Sequence, residues 1–152
     1  MHLSSDLTAA EVIELLELQP LDHEGAFWKP GPRTQELSCI TALITNAPDG
    51  FSALHVLSVD EGWQWLAGSA AQMLLLDDNG TSTTVEISDE NPQFVVRSGV
   101  WQGTRTLGAW TLVSCWCAPA FEWHHFTLGD RDALTATHPA VADEIERLTR
   151  NG

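Results

Sequence analysis

Hydrophobic and polar positions alternate in short runs along most of the chain, and glycine, proline, asparagine or aspartate interrupts the runs every few residues. Period-two alternation marks half-buried strands, and the interruptions mark turns. Leu37–Thr45 (LSCITALIT) is apolar enough for a strand buried on both faces, and Asn46–Gly50 (NAPDG) follows as a turn. Phe51–Gly68 (FSALHVLSVDEGWQWLAG) holds two alternating segments that meet at an acidic bend, Val59–Asp60. Ala71–Asp77 and Thr81–Ile87 flank Asp77-Asp78-Asn79-Gly80, a hairpin signal because Asn-Gly supplies the positive φ angles of a tight turn. Pro92–Arg97 and Trp101–Arg105 turn at Gly99. A second hairpin near Leu107-Gly108 leads into Trp110–Ala118, the longest predicted strand, and Phe121–Leu128 is extended beyond a bend at Pro119. Within Leu21–Thr34, the breakers Gly25, Pro30, Gly31 and Pro32 leave one short strand around Ala26–Lys29 and loop after it.

Helical periodicity is confined to the two ends. Thr8-Ala-Ala-Glu11 is a capping box, the following leucines and Val12 give an apolar face, and Pro20 ends the segment, so a helix is expected at about 8–19. Pro139 opens a second helix at about 139–150, with Val141, Ile145 and Leu148 on one face. Eight or nine strands between two terminal helices, without βαβ alternation, predict an all-β sandwich or barrel at about 24–128. At 152 residues, the whole of 1–152 reads as one domain with a sizeable core.

Charge narrows the partners. Seven Lys and Arg against 21 Asp and Glu give a net charge of −14, which repels nucleic-acid phosphates and anionic membranes. The opening MHLSSDLTAAEV has neither a basic n-region nor an apolar h-region, and no run approaches the roughly 18 apolar residues of a membrane span. A cytoplasmic protein that takes neither nucleic acid nor membrane is expected. Three cysteines are an odd number for a disulfide framework, and Cys115 and Cys117 share one strand face, so they read as buried thiols. Seven Trp and no Tyr are unusual at this length. Indoles bury well only when the ring N–H finds a partner, which points to pocket walls or an interface as well as core.

The chemistry concentrates in Phe51–Gly68. If Glu61 faces inward, alternation sends Trp63 and Trp65 inward too, and the bend brings His55 opposite them. One cavity would then hold an imidazole, a carboxylate and two indoles. The same stripe is also what simple core packing and a capped turn would produce.

His23–Lys29 (HEGAFWK), His55–Gly68 (HVLSVDEGWQWLAG), Pro92–Gly103 (PQFVVRSGVWQG) and Trp110–Phe126 (WTLVSCWCAPAFEWHHF), in this order and at these intervals, resemble the cupin superfamily. More narrowly they resemble its uncharacterised branch that includes a yeast jelly-roll protein with a ligand-like cavity. The resemblance covers about Leu18 to the end. It implies a double-stranded β-helix, a jelly-roll barrel with short N- and C-terminal helices, whose ligand site lies inside the barrel. It places His55 at the branch's motif histidine, Glu61 at its glutamate and Trp63 at the next tryptophan. Gln93 and Trp101 fall in the second motif, Cys115 at the cysteine, and Glu24 and Lys29 at the N-terminal Glu and Arg. The departures bear on function. Metal cupins use two His and a Glu from the first motif and a His from the second, whereas Ala53 and Gln102 stand at two of those positions. No cofactor is therefore expected; a divalent metal at His55 and Glu61 would have only two protein ligands. Val56 replaces the Arg that follows the motif histidine, which removes a charge suited to phosphate or carboxylate.

What remains suits a flat, apolar or mildly cationic small molecule. One reading is a metal-independent isomerase or epimerase, lyase or cyclase. His55 is then the acid–base and Glu61 its orienting or second proton site, with Trp63, Trp65, Trp101, Gln102, Gln93, Lys29 and Cys115 around the substrate. The other is a binding protein in which His55 and Glu61 merely satisfy each other. The resemblance also implies a homodimer, in which Trp28, Trp110 and Trp123 would be candidate contacts.

Overall fold

The structure, a computed structural model, describes residues 3–150. The capping box forms: Thr8 Oγ1 accepts from the Glu11 amide, and the Glu11 carboxylate accepts from the Thr8 amide at 2.7 Å. Helix α1 (Ala9–Leu16) follows. It stops before Pro20, because Glu17 turns left-handed at φ 56° and its N–H closes on Glu14 and Ile13 carbonyls.

Among the described residues eleven strands follow, two or three more than the sequence pattern predicts. They are β1 (Gln19–Pro20), β2 (Phe27–Arg33), β3 (Ser38–Thr45), β4 (Ser52–Leu57), β5 (Asp60–Gly68), β6 (Ala71–Leu76), β7 (Ser82–Ile87), β8 (Gln93–Val96), β9 (Trp101–Thr106), β10 (Trp110–Ala118) and β11 (Phe126–Leu128). The loop expected after Lys29 is strand instead. β1 pairs only with Phe27 and Trp28, so beyond them β2 has one open edge, and a register shift against β3 between Pro30 and Arg33 absorbs the missing proline N–H groups. All pairings are antiparallel and make two sheets, β1-β2-β3-β10-β5-β8 and β11-β4-β9-β6-β7. This is the jelly-roll barrel of the expected class.

Between the sheets lie Ala42, Ile44, Trp63, Met73, Ile87, Val96, Val113 and Cys115, all buried. On the other face of the first sheet, α1 packs Val12 against Leu43, Trp110 and Leu112, and the Trp110 indole donates to the Leu7 carbonyl at 2.6 Å. The second sheet is covered by two helices rather than the single predicted one. Asp130 caps α2 (Arg131–Thr137) by accepting from Ala133 N–H at 2.8 Å; a 3₁₀ turn at Pro139–Val141 then leads into α3 (Ala142–Arg147). Leu134, Ile145 and Leu148 press on Leu54, Leu74 and Leu76. No helix among the described residues is long and apolar enough to cross a membrane.

Candidate functional site

Where the interior is not filled by core, a cavity of about 400 Å³ opens between the sheets. Ile40, Cys115 and Cys117 form its wall on the first sheet, and Leu57 faces them from β4. Trp28 and Arg33 from β2 and Phe121, Glu122 and Trp123 from the segment after β10 line it as well. Trp123 is half exposed, and Arg33 and Glu122 form an exposed ion pair at 2.6 Å.

Three further ionisable side chains cluster on the inner wall of the cavity, Glu24, His55 and Glu61. His55 stands on β4, where alternation carries Ala53 and His55 to the face opposite Leu54. Its Nδ1 lies 2.7 Å from the Ala53 carbonyl, which fixes the proton on that nitrogen and leaves Nε2 as the titrating atom. Glu61 Oε2 is 3.9 Å from Nε2, an ion-pair distance rather than a hydrogen bond. Glu24 Oε1 lies 4.0 Å from Nδ1 and accepts from the Ser52 hydroxyl at 2.5 Å. Phe126 stacks on the imidazole at 5.2 Å between centroids.

Burial alone would lower the pKa of His55. The Glu24 charge, the Glu61 carboxylate and the Ala53 carbonyl together reverse this and raise it to about 9. At neutral pH the ring is an imidazolium. Burial raises Glu24 above the ordinary carboxyl range and the Glu61 charge adds to this, while His55, Ser52 and Arg150 only partly offset it.

Behind the triad the polar atoms continue. Gln102, opposite His55 across the β4–β9 ladder, donates its amide to Glu61 Oε2 at 2.7 Å and accepts the Trp63 indole proton at 3.0 Å. All of these residues are buried, so each depends on the next for its hydrogen bonds.

The same fold recurs in known proteins. A family model described as Cupin superfamily (DUF985) matches residues 10–129. The chain belongs to the cupin superfamily. Among solved structures this cupin is similar to protein SO0799 from Shewanella oneidensis, with 27% identity over 96% of this chain and 99% of that one and a TM-score of 0.87. A hypothetical protein from Leishmania major matches at 22% identity over 95% of this chain and 100% of that one, with a TM-score of 0.84. Oxalate decarboxylase from Bacillus subtilis shares the fold at 13% identity and a TM-score of 0.61, over 88% of this chain and 37% of its own. No curated protein matches the sequence.

Of the residues singled out in the sequence, His55, Glu61 and Cys115 line the cavity of this cupin. Trp63 and Gln102 stand behind it, tied to Glu61 as described. Trp65 packs at the margin of the core and donates its indole proton to the Ser69 carbonyl, away from the cavity. Trp101 packs with the cluster under α2 and α3. Gln93 is exposed and donates to Gln64, and Lys29 borders a separate groove beside Thr41 and Leu66. Alternation explains Lys29: its neighbours Trp28 and Pro30 both line the cavity, so Lys29 takes the opposite face. Alternation from Trp28 was also the signal that could have found this wall. Of the three candidate dimer contacts, Trp28 and Trp123 line the cavity and Trp110 is buried under α1. Trp123 is held by edge contacts from Phe121 at 5.1 Å and Phe126 at 5.5 Å, an arrangement that no spacing in the sequence announces.

The donors do not fit a resident transition metal. His55 has one free nitrogen, Glu24 lies on the side of the ring whose nitrogen is committed to Ala53, and only Glu61 shares the Nε2 side. Among the described residues no group of three or more His, Cys, Asp and Glu side chains is placed to hold an ion.

Proposed function

We propose that this cupin binds a small, largely apolar metabolite in its cavity and moves a proton within it, as an isomerase, epimerase, lyase or cyclase does. The observation that carries this reading is the His55 ring held between the Glu24 and Glu61 carboxyl groups on the wall of a 400 Å³ cavity. Glu24 is the group that meets the ligand, because its side chain is 20% exposed while that of His55 is 2% exposed. Burial raises the pKa of Glu24, which makes its carboxylate a stronger base than an ordinary one, and His55 lies close enough to stabilise its charge. In an isomerisation the Glu24 carboxylate takes a proton from carbon next to a carbonyl and returns it to a neighbouring atom, so the ligand gains and loses nothing else. His55 places a positive charge beside the Glu24 carboxylate, and Glu61, oriented by Gln102, holds the imidazolium. Trp28, Trp123 and Phe121 provide the apolar wall.

The test begins with native mass spectrometry to identify a retained small molecule, which is then incubated with the protein in D₂O. Deuterium incorporation that Glu24→Gln abolishes while binding persists is the expected result. Incorporation unchanged in Glu24→Gln would sink the assignment. A bound ligand that exchanges no proton in the wild-type protein would favour a non-catalytic binder, a reading supported by the near-complete enclosure of His55.

A further inference from the structure

We infer that Arg150, at the far end of the chain, is a positioning residue that clamps the strained turn carrying Glu24 against His55. The inference rests on the reading of Glu24 and His55 given above.

The turn departs from ordinary backbone. Of the residues around Glu24, His23 and Ala26 have φ 67° and Gly25 has φ 93°. Positive φ is routine for glycine, but for His and Ala it is strained and persists only where the surroundings over-determine it. Part of that constraint is local: the Glu24 amide donates to Asp22 at 2.8 Å and the Gly25 amide to Leu21 at 3.1 Å. Two further bonds reach the chain beyond β3, with the Ala26 amide donating to Asp49 and the Ala53 amide to Glu24.

The rest comes from one guanidinium. Arg150 Nη2 donates to the carbonyls of Glu24 at 3.0 Å, Phe51 at 3.0 Å and Asp49 at 3.4 Å, and Nη1 to the Asp49 carboxylate at 3.3 Å. Its plane lies over the Phe51 ring at 4.2 Å. The clamp thus joins the Glu24 turn to the segment that ends in Ser52, whose hydroxyl holds the Glu24 carboxylate. Gly25 is fitted to it: a Cβ there would fall 1.5 Å from Arg150 Nη2, so the guanidinium occupies the space a side chain would need. Lysine could keep the charge but not the planar fork that reaches several carbonyls at once.

The experiment follows the His55 ring by ¹⁵N NMR titration in the full-length protein and needs no ligand. Charged groups facing His55 are Glu24 and Glu61, and those facing Glu24 are His55, Glu61 and Arg150. Glu24→Gln sets the benchmark, because it removes the carboxylate without moving the backbone. Arg150→Lys is expected to lower the His55 midpoint by about half a pH unit or more, roughly a threefold loss of proton affinity, by releasing Glu24 while the positive charge remains. A wild-type midpoint in Arg150→Lys alongside a lowered one in Glu24→Gln would overturn the clamp and leave the proton site standing. A midpoint unmoved by Glu24→Gln would instead remove the Glu24–His55 coupling, and the clamp with it. Should Arg150→Lys not fold, the wild-type protein decides: separate, slowly exchanging Arg150 Nη resonances are expected, and a freely rotating guanidinium with one averaged signal would refute the clamp.

Discussion

Trp63 and Glu61 are two residues apart on β5, and Gln102 joins them through space, taking the indole proton of one and giving an amide proton to the carboxylate of the other. Truncating the bridge leaves a buried donor and a buried carboxylate oxygen without partners. Each such loss costs about 1–3 kcal/mol, so Gln102→Leu should destabilise the fold by roughly 2–6 kcal/mol. Trp63→Phe, which strands only the Gln102 oxygen, should cost less at this network. Urea unfolding of the two variants checks the order, and equal midpoints would show that the bridge is not held as described.

Stability should fall as pH rises through neutrality. A folded-state pKa of about 9 for His55, against about 6.5 for an ordinary imidazole, means that the native state binds the proton more tightly. The stabilisation is complete below the unfolded value and is lost as pH climbs through the folded one. Between pH 6 and 8 the loss should be about 2 kcal/mol. Glu24, also raised, acts with the same sign from lower pH upward. Denaturant midpoints for wild type and His55→Gln across this range give the comparison, and a slope that persists in the variant would show that other groups cause it.

The thiols beside the triad should be poor nucleophiles. Burial pushes Cys115 and Cys117 well up, and the Glu61 charge pushes them further, which leaves almost no thiolate near neutral pH. Native protein treated with iodoacetamide at pH 8 should therefore be alkylated at no more than Cys39, with all three sites reacting after denaturation. Peptide mass spectrometry reads this directly. Rapid native labelling of Cys115 would mean that the cavity opens widely in solution.

Gly62 faces Trp116 across the β5–β10 ladder, and a Cβ there would fall 1.9 Å from the indole. Gly62→Ala must displace the ring and should cost about 1–3 kcal/mol by overpacking. A thermal unfolding midpoint equal to wild type would show that Trp116 swings aside freely.

The strand pattern was legible because most strands are inward–outward alternators bounded by strong turn residues, as at Asp77–Gly80. Two errors have physical causes. Pro30-Gly31-Pro32 reads as loop to any rule based on proline, yet an edge with no partner tolerates it. α2 was missed because this short helix, capped by Asp130, has little apolar periodicity of its own. In the site, His55 and Glu61 were visible from alternation and from the family pattern. Trp65 follows the same alternation to the edge of the core, beyond the reach of the cavity. Glu24 was matched to the family pattern without a role, because its approach to His55 depends on three positive φ angles and on an arginine 126 residues away, none of which leaves a local pattern.

Glu61 belongs to one sheet, His55 to the other, and Glu24 to the turn before β2. The Glu24 turn is tied to the strand that carries His55 through Ser52 and Ala53, so these two groups stand together and face Glu61 across the space between the sheets. A ligand that bridges Glu24 and the opposite wall would work as a clasp, and its first measurable effect would be slower amide exchange at the seam between the sheets, before any chemistry is seen.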